Sequence, residues 1–283
     1  MKRARLALIV CMLVAGGVQA ADAPGTWRDV DPNNLVLIDT KYGETAVELA
    51  PQFAPNHAAR MRALVRAHFF DGLSFYRVIE GFVAQGGNNA DNPDPKWPAL
   101  KAEFTRPIGD DVTFTPLGDP DLYAPVVGHV DGFPVGEDPK AGHMWIAHCP
   151  GTFAFARDDK DDTASTEFYI VIGEAPRRLD QNLTAFGRVI WGLQYIDKLN
   201  RGDPNVGNGV IADPAMRDPI LRMRMAADIP ENERPKFQVM RTDSAAFAEV
   251  KDKKRHPPKD FYHGGTPTNL DICLDMVPVR KAP

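Results

Sequence analysis

The stretch Phe75-Tyr-Arg-Val-Ile-Glu-Gly-Phe-Val-Ala-Gln-Gly-Gly87 reads as two short apolar arms, Phe75–Ile79 and Phe82–Gln85, broken at Glu80-Gly81 and stopped by Gly86-Gly87. That is the pattern of a tight β-hairpin. Its turn brings Arg77 of the first arm near Gln85 of the second, with Phe82 and Val83 as an apolar wall. Taken alone, such an arginine is an ordinary surface residue, so its meaning depends on what surrounds it.

Upstream, NLVLID (Asn34–Asp39) and ETAVEL (Glu44–Leu49), split by Lys41-Tyr42-Gly43, predict another antiparallel hairpin. From Pro55 to Phe69 the spacing changes: Met61, Leu64, Val65 and Phe69 share one helical face, Arg60, Arg62 and Arg66 point elsewhere, and Pro55 suits a first turn. Downstream, Thr152–Ala156, Glu167–Ile172 and Phe186–Val189 are strand-like, and Gly192–Asn200 carries Leu193, Ile196 and Leu199 as a short helix. Between them, 88–150 is rich in Pro, Gly and Asp and is read as a long ordered insertion, because its scattered aromatics argue against disorder. Residues 203–268 form a second polar, proline-bearing extension, and the apolar run 270–279 is expected to return to the body of the fold as a strand. Strands without regular strand–helix alternation predict a mainly β fold: a closed antiparallel barrel capped by two helices.

The chain has 283 residues, 43% hydrophobic and 25% charged, which excludes a disordered tail, a collagen-like repeat and a multi-pass membrane protein. Glycine and proline make up 48 residues, more than the usual ~12%, in keeping with long loops. At the N-terminus, Lys2, Arg3 and Arg5 precede an apolar run from Leu6 to Ala15 and then Val18-Gln19-Ala20, the pattern of a secretory signal peptide over residues 1–20. Ten apolar residues are about half of the ~20 that a membrane span needs, so no stable membrane insertion is expected. The remaining chain, 21–283, reads as one domain with net charge −8, which disfavours a nucleic-acid partner. Cys11 leaves with the signal. In an oxidising compartment Cys149 and Cys273 are then expected to form a disulfide, the alternative being two separate buried thiols. The predicted location is periplasmic or secreted.

The hairpin 75–87 resembles the signature of the cyclophilin family of peptidyl-prolyl isomerases, and the likeness continues through Gly151-Thr-Phe-Ala-Phe-Ala-Arg157, Ser165-Thr-Glu-Phe-Tyr-Ile170, Leu179-Asp180 and Phe186-Gly-Arg-Val189. Phe69-Phe70-Asp71-Gly72 looks like the end of the family's first helix and the turn after it. The matching blocks, 34–87 and 151–200, fall in register, and several ordered motifs are more specific than any one. The resemblance implies an eight-stranded β-barrel with two helices. It also implies that Arg77 is the catalytic arginine and that Gln85 holds substrate backbone. Phe82, Val83 and Tyr169 would form the wall around the substrate proline, with Ala156 and Arg157 at the alanine–asparagine position and Leu179 closing the far side.

The chain departs from the animal-type pattern at Val83 (usually methionine), Tyr169 (usually phenylalanine), Arg178 (commonly an aromatic) and Leu183 (commonly histidine). Tyr169 brings a hydroxyl that needs a partner if buried, and Leu183 removes a polar group beside the proline. A tryptophan at the Arg178 position is associated in the family with cyclosporin binding, so weak inhibition by that drug is expected. The implied activity is isomerisation of X–Pro bonds in exported proteins by a monomer without cofactor or metal, its partners being proline-containing polypeptides. The rival reading is a non-catalytic proline-binding chaperone, favoured by the altered positions and opposed by retention of Arg77, Phe82 and Gln85. His143 and His148 beside Cys149 fit no zinc spacing, and no Gly-x-Ser-x-Gly elbow supports a hydrolase.

Overall fold

In the computed structural model the described residues are 25–88, 94–173, 176–258, 262–263 and 265–282; the expected signal peptide lies outside them. The fold is mainly β, built on one strongly curled antiparallel sheet. From edge to edge its strands are Asp218–Pro219, Ser74–Ile79, Val83–Gly87, Phe168–Val171, Thr152–Phe155, Ala185–Trp191, Gly43–Leu49, Leu35–Thr40 and Arg222–Met225. Only Ile220 and Leu221 separate the two edge strands in sequence, so one short segment runs from one margin of the sheet to the other. Counting that segment as two strands gives nine where eight are expected.

Side-chain alternation sorts the sheet into an inner and an outer face. Val36, Ile38, Val47, Leu49, Phe153, Phe155, Phe168, Ile170 and Phe186 point inward and form the main core with Met61, Leu64 and Val65 of the helix Pro55–Arg66. That helix stops three residues short of Phe69 because His68 turns left-handed, at φ 54°. Its first residues are capped from a distance: Ala54 has no acceptor to offer, and the Glu103 carboxylate takes the N–H groups of Asn56 and His57 at 3.1 Å each. The second helix is a single turn, Leu193–Ile196.

Outward-facing residues explain why NLVLID has no polar alternation. Leu35, Leu37 and Ala46 lie under a second layer comprising Phe237, Val239, Phe247 and Val277. This layer contains a three-stranded sheet, in the order Trp27–Asp29, Phe237–Met240, Val279–Lys281, and a third helix, Ala245–Arg255. The expected C-terminal strand is thus corrected in place and partner: it covers Val279–Lys281, not 270–279, and pairs with Phe237–Met240, not with the main sheet. Residues 203–268 are likewise not one polar extension, since they supply both edge strands of the main sheet and, in Phe237–Met240 and Ala245–Arg255, part of this outer layer. The insertion 88–150 contains all five strands of a second antiparallel sheet, Arg106–Pro107, Phe114–Pro116, Val126–Val130, Phe133–Asp138 and His143–Ile146. The first two are too short, and Val126–Val130 and Phe133–Asp138 are buried on both faces, so a periodicity reading misses them.

Cys149 and Cys273 form the disulfide, which ties the C-terminal segment to the turn after His143–Ile146. Nearby, His129 is 1% exposed with Nε2 3.2 Å from the Asp275 carbonyl oxygen, and burial pushes its pKa from the ordinary 6.5 down to about 4. The folded state therefore resists a proton that the unfolded chain accepts, so stability is full above pH 6.5 and is lost as pH falls towards 4. The expected loss is roughly 3 kcal/mol across that window. Urea denaturation at pH 7 and 4.5 checks it; if His129→Gln keeps the wild-type pH slope, the attribution fails.

Candidate active site

An irregularity in one strand builds the site. Between Phe75 and Arg77 the pairing with Val83–Gly87 shifts by one residue, a β-bulge. As a result Phe75 and Val78 both point into the core, and the two residues between them, Tyr76 and Arg77, both line an outer groove. On the return arm Ala84 points inward while Val83 and Gln85 face the groove. Gly81, with φ 67°, makes the turn.

All nine residues singled out from the sequence, Arg77, Phe82, Val83, Gln85, Ala156, Arg157, Tyr169, Leu179 and Leu183, line this one groove. Tyr76, Asp159, Gly207, Asn208 and Val210 complete it and were not legible beforehand. The Arg77 guanidinium is held from two sides: Nη1 donates to Gln85 Oε1 at 3.0 Å and Nε to the Asn208 carbonyl at 2.8 Å. Gln85 is oriented in turn by donating from Nε2 to the Tyr76 hydroxyl at 2.5 Å. Arg77 Nη2 meets no acceptor among the described residues, leaving that donor to the groove. Burial lowers the Arg77 pKa below the ordinary arginine value, yet guanidinium groups stay protonated in proteins, so the donor is permanent.

Val83 and Tyr169, with Phe82, Ala156 and Leu183 packed against them, belong to the same apolar cluster as Phe133, Val135, Met144 and Ile146 of the insertion. The insertion sheet therefore backs the groove wall. Arg157 is fully engaged: Nε and Nη2 donate to Asn182, Nη1 donates to the carbonyls of Asp158 and Asp159, and the group lies over the Phe104 ring. It clamps two loops at the rim. Arg178 is exposed beyond the groove lining. His143 and His148 diverge: His143 Nε2 is 2.9 Å from Gln181 Oε1, whereas His148 Nε2 is 2.9 Å from the Tyr169 hydroxyl. The partner that the Tyr169 hydroxyl requires is thus His148.

The arrangement offers a fixed cationic donor beside an apolar hollow, with no paired nucleophile and base in the lining. Such a site can bind a nonpolar ring and donate to a weak acceptor next to it.

Comparisons with known proteins agree with this chemistry. The profile of the family described as "Cyclophilin type peptidyl-prolyl cis-trans isomerase/CLD" matches residues 35–224. A protein of Brucella suis biovar 1 named "Probable peptidyl-prolyl cis-trans isomerase" is 30% identical over 240 residues, covering 79% of this chain and 97% of its own. Peptidyl-prolyl cis-trans isomerase B of Bacillus subtilis is 30% identical over 158 residues, 55% of this chain and 82% of its own. Among solved structures, cyclophilin AquaCyp293 from Hirschia baltica superposes with a TM-score of 0.75 at 29% identity, covering 91% of this chain and 94% of that one. That coverage reaches beyond the span of the family profile.

Proposed function

The chain belongs to the cyclophilin-type peptidyl-prolyl cis-trans isomerases, and from that premise we propose that it turns X–Pro bonds of exported polypeptides and so assists their folding. We read the curled sheet as an eight-stranded barrel closed by residues 218–225, and the protein as a monomer working in the periplasm or outside the cell. The Cys149–Cys273 disulfide supports that location, since such bonds persist in oxidising compartments.

An X–Pro bond resists rotation because the nitrogen lone pair is delocalised into the carbonyl, a barrier of ~18–20 kcal/mol. In the twisted transition state that delocalisation is lost and the nitrogen becomes a hydrogen-bond acceptor. A guanidinium aimed at it binds the twisted form better than either planar form, which lowers the barrier without breaking any bond. In this reading Arg77 supplies that donor. Phe82, Val83, Tyr169, Leu179 and Leu183 grip the pyrrolidine ring, Ala156 and Arg157 border it, and Gln85 holds the backbone on the other side of the rotating bond.

The observation that carries the reading is the two-sided hold on Arg77 by Gln85 and Asn208 beside that apolar wall. A protease-coupled isomerase assay on a short proline peptide tests it; absence of turnover in the purified, folded protein overturns it. With exposed Arg178 at the drug-binding position, cyclosporin is expected to inhibit only weakly, and nanomolar inhibition in the same assay refutes that.

A further inference from the structure

The groove wall rests on a buried polar chain that the isomerase chemistry does not itself require. Tyr169 is 3% exposed and its ring stacks on that of His148, centroids 6.2 Å apart at 20°. His148 is 1% exposed; its Nε2 lies 2.9 Å from the Tyr169 hydroxyl. Its Nδ1 faces Asp180 Oδ1 at 3.3 Å, and its backbone N–H donates to the same oxygen at 2.8 Å. Asp180 Oδ2 accepts from Arg177 Nε at 2.8 Å and from Trp145 Nε1 at 3.2 Å. Arg177 then forms two 2.9 Å bonds to the Asp121 carboxylate, both side chains about 5% exposed.

The chemistry of these partners sets the direction of each bond. Burial pushes the Asp180 pKa up, but bonds from His148 and the charge of Arg177 outweigh it and hold it below the ordinary value, so Asp180 is a carboxylate. A carboxylate only accepts, so the His148 ring donates from Nδ1, and in the neutral imidazole Nε2 then accepts the Tyr169 proton. Burial raises the Tyr169 pKa, which keeps that proton in place. A buried phenol deprived of its acceptor would be left with an unsatisfied donor, and the ring would gain by swinging towards water, across the groove.

The same chain holds the opposite wall. Arg177 and Asp180 bracket Leu179 in sequence, at the short 3-10 turn Pro176–Leu179, and their mutual bond at 2.8 Å closes that turn. We infer that His148 is a positioning residue that, through Asp180, fixes the gap between Tyr169 and Leu179 and thereby sets how tightly the proline ring is held. The inference rests on the reading of the groove as the proline site. Because His148 touches neither the ring nor the rotating bond, its loss is felt in binding and not in turning.

The test is a steady-state cycle with a proline-containing tetrapeptide on full-length mature protein: wild type, His148→Ala, His148→Gln, Tyr169→Phe and Tyr169→Phe with His148→Ala. His148→Ala is expected to raise KM about tenfold with kcat within twofold of wild type. His148→Gln, whose amide can still accept from the phenol, is expected to recover KM to within threefold. In the Tyr169→Phe background, where no hydroxyl needs a partner, His148→Ala is expected to shift KM less than threefold. If His148→Ala does not fold, the Gln variant and the two Tyr169→Phe proteins decide the matter. A fall in kcat at unchanged KM, equal damage from Ala and Gln, or an undiminished effect in the Tyr169→Phe background overturns the inference. An inactive wild type would instead bring down the underlying proline-site reading, which separates the two failures.

Discussion

Replacing Arg77 by alanine is expected to lower kcat/KM for a proline peptide by about 10²–10³-fold while leaving the fold intact. A preorganised donor aimed at the atom that becomes an acceptor in the transition state is worth about 3–4 kcal/mol, and each 1.36 kcal/mol is tenfold in rate. The structural cost is small because the side chain sits at the groove: its partners are Gln85 Oε1 and the Asn208 carbonyl, and the main-chain register of Arg77 opposite Gln85 does not depend on them. Lysine should not restore the rate, since one ammonium cannot occupy both of those acceptors and still present a flat, aimed donor. The protease-coupled assay together with a thermal melt checks this. Near wild-type turnover by folded Arg77→Ala would remove Arg77 from the reaction.

The second large effect concerns stability. Cys149 and Cys273 are 124 residues apart, so their bond closes a long loop in the unfolded chain and removes much of its freedom. On the chain-entropy model that contributes roughly 4–5 kcal/mol. The bond also retains Ile272 and Cys273, which lie in no strand, against Trp145, Ala147 and Leu117 in a small cluster of their own. Cys149→Ser with Cys273→Ser is therefore expected to lower Tm by roughly 10 °C. Calorimetry of the double variant, and of wild type with and without reductant, checks this. Coincident melts would show that packing alone holds the segment.

How much of this was readable in the residues depended on whether local pattern or distant contact decided the matter. The hairpin 75–87 and the helix beginning at Pro55 announce themselves through turn residues and period, and the nine groove residues follow from motifs in register. Tyr76 did not, because strict alternation puts it on the opposite face from Arg77; only the bulge places both outward, and bulges leave no reliable trace in composition. Asn208 lay in a stretch read as polar extension, yet its carbonyl holds Arg77. The helix Ala245–Arg255 had a usable signal in Ser244 as its cap, accepting from the Phe247 N–H, with Phe247 and Val250 packed on one side, but its lysine-rich end masked it. His148 was weighed as a metal ligand, whereas the need already evident at Tyr169 pointed to its actual partner.

The margin-to-margin segment 218–225 also governs the order in which the molecule can be assembled. Strand Leu35–Thr40 leaves the ribosome early, but Arg222–Met225, which covers its free side, follows more than 180 residues later. At about 5–20 residues per second that is a wait of roughly 10–40 s, during which a row of unsatisfied amides and carbonyls stays available to strangers. A polypeptide threaded start-first through a membrane would meet the same delay on the far side, so this margin of the sheet stays open until the late segment arrives to cover it.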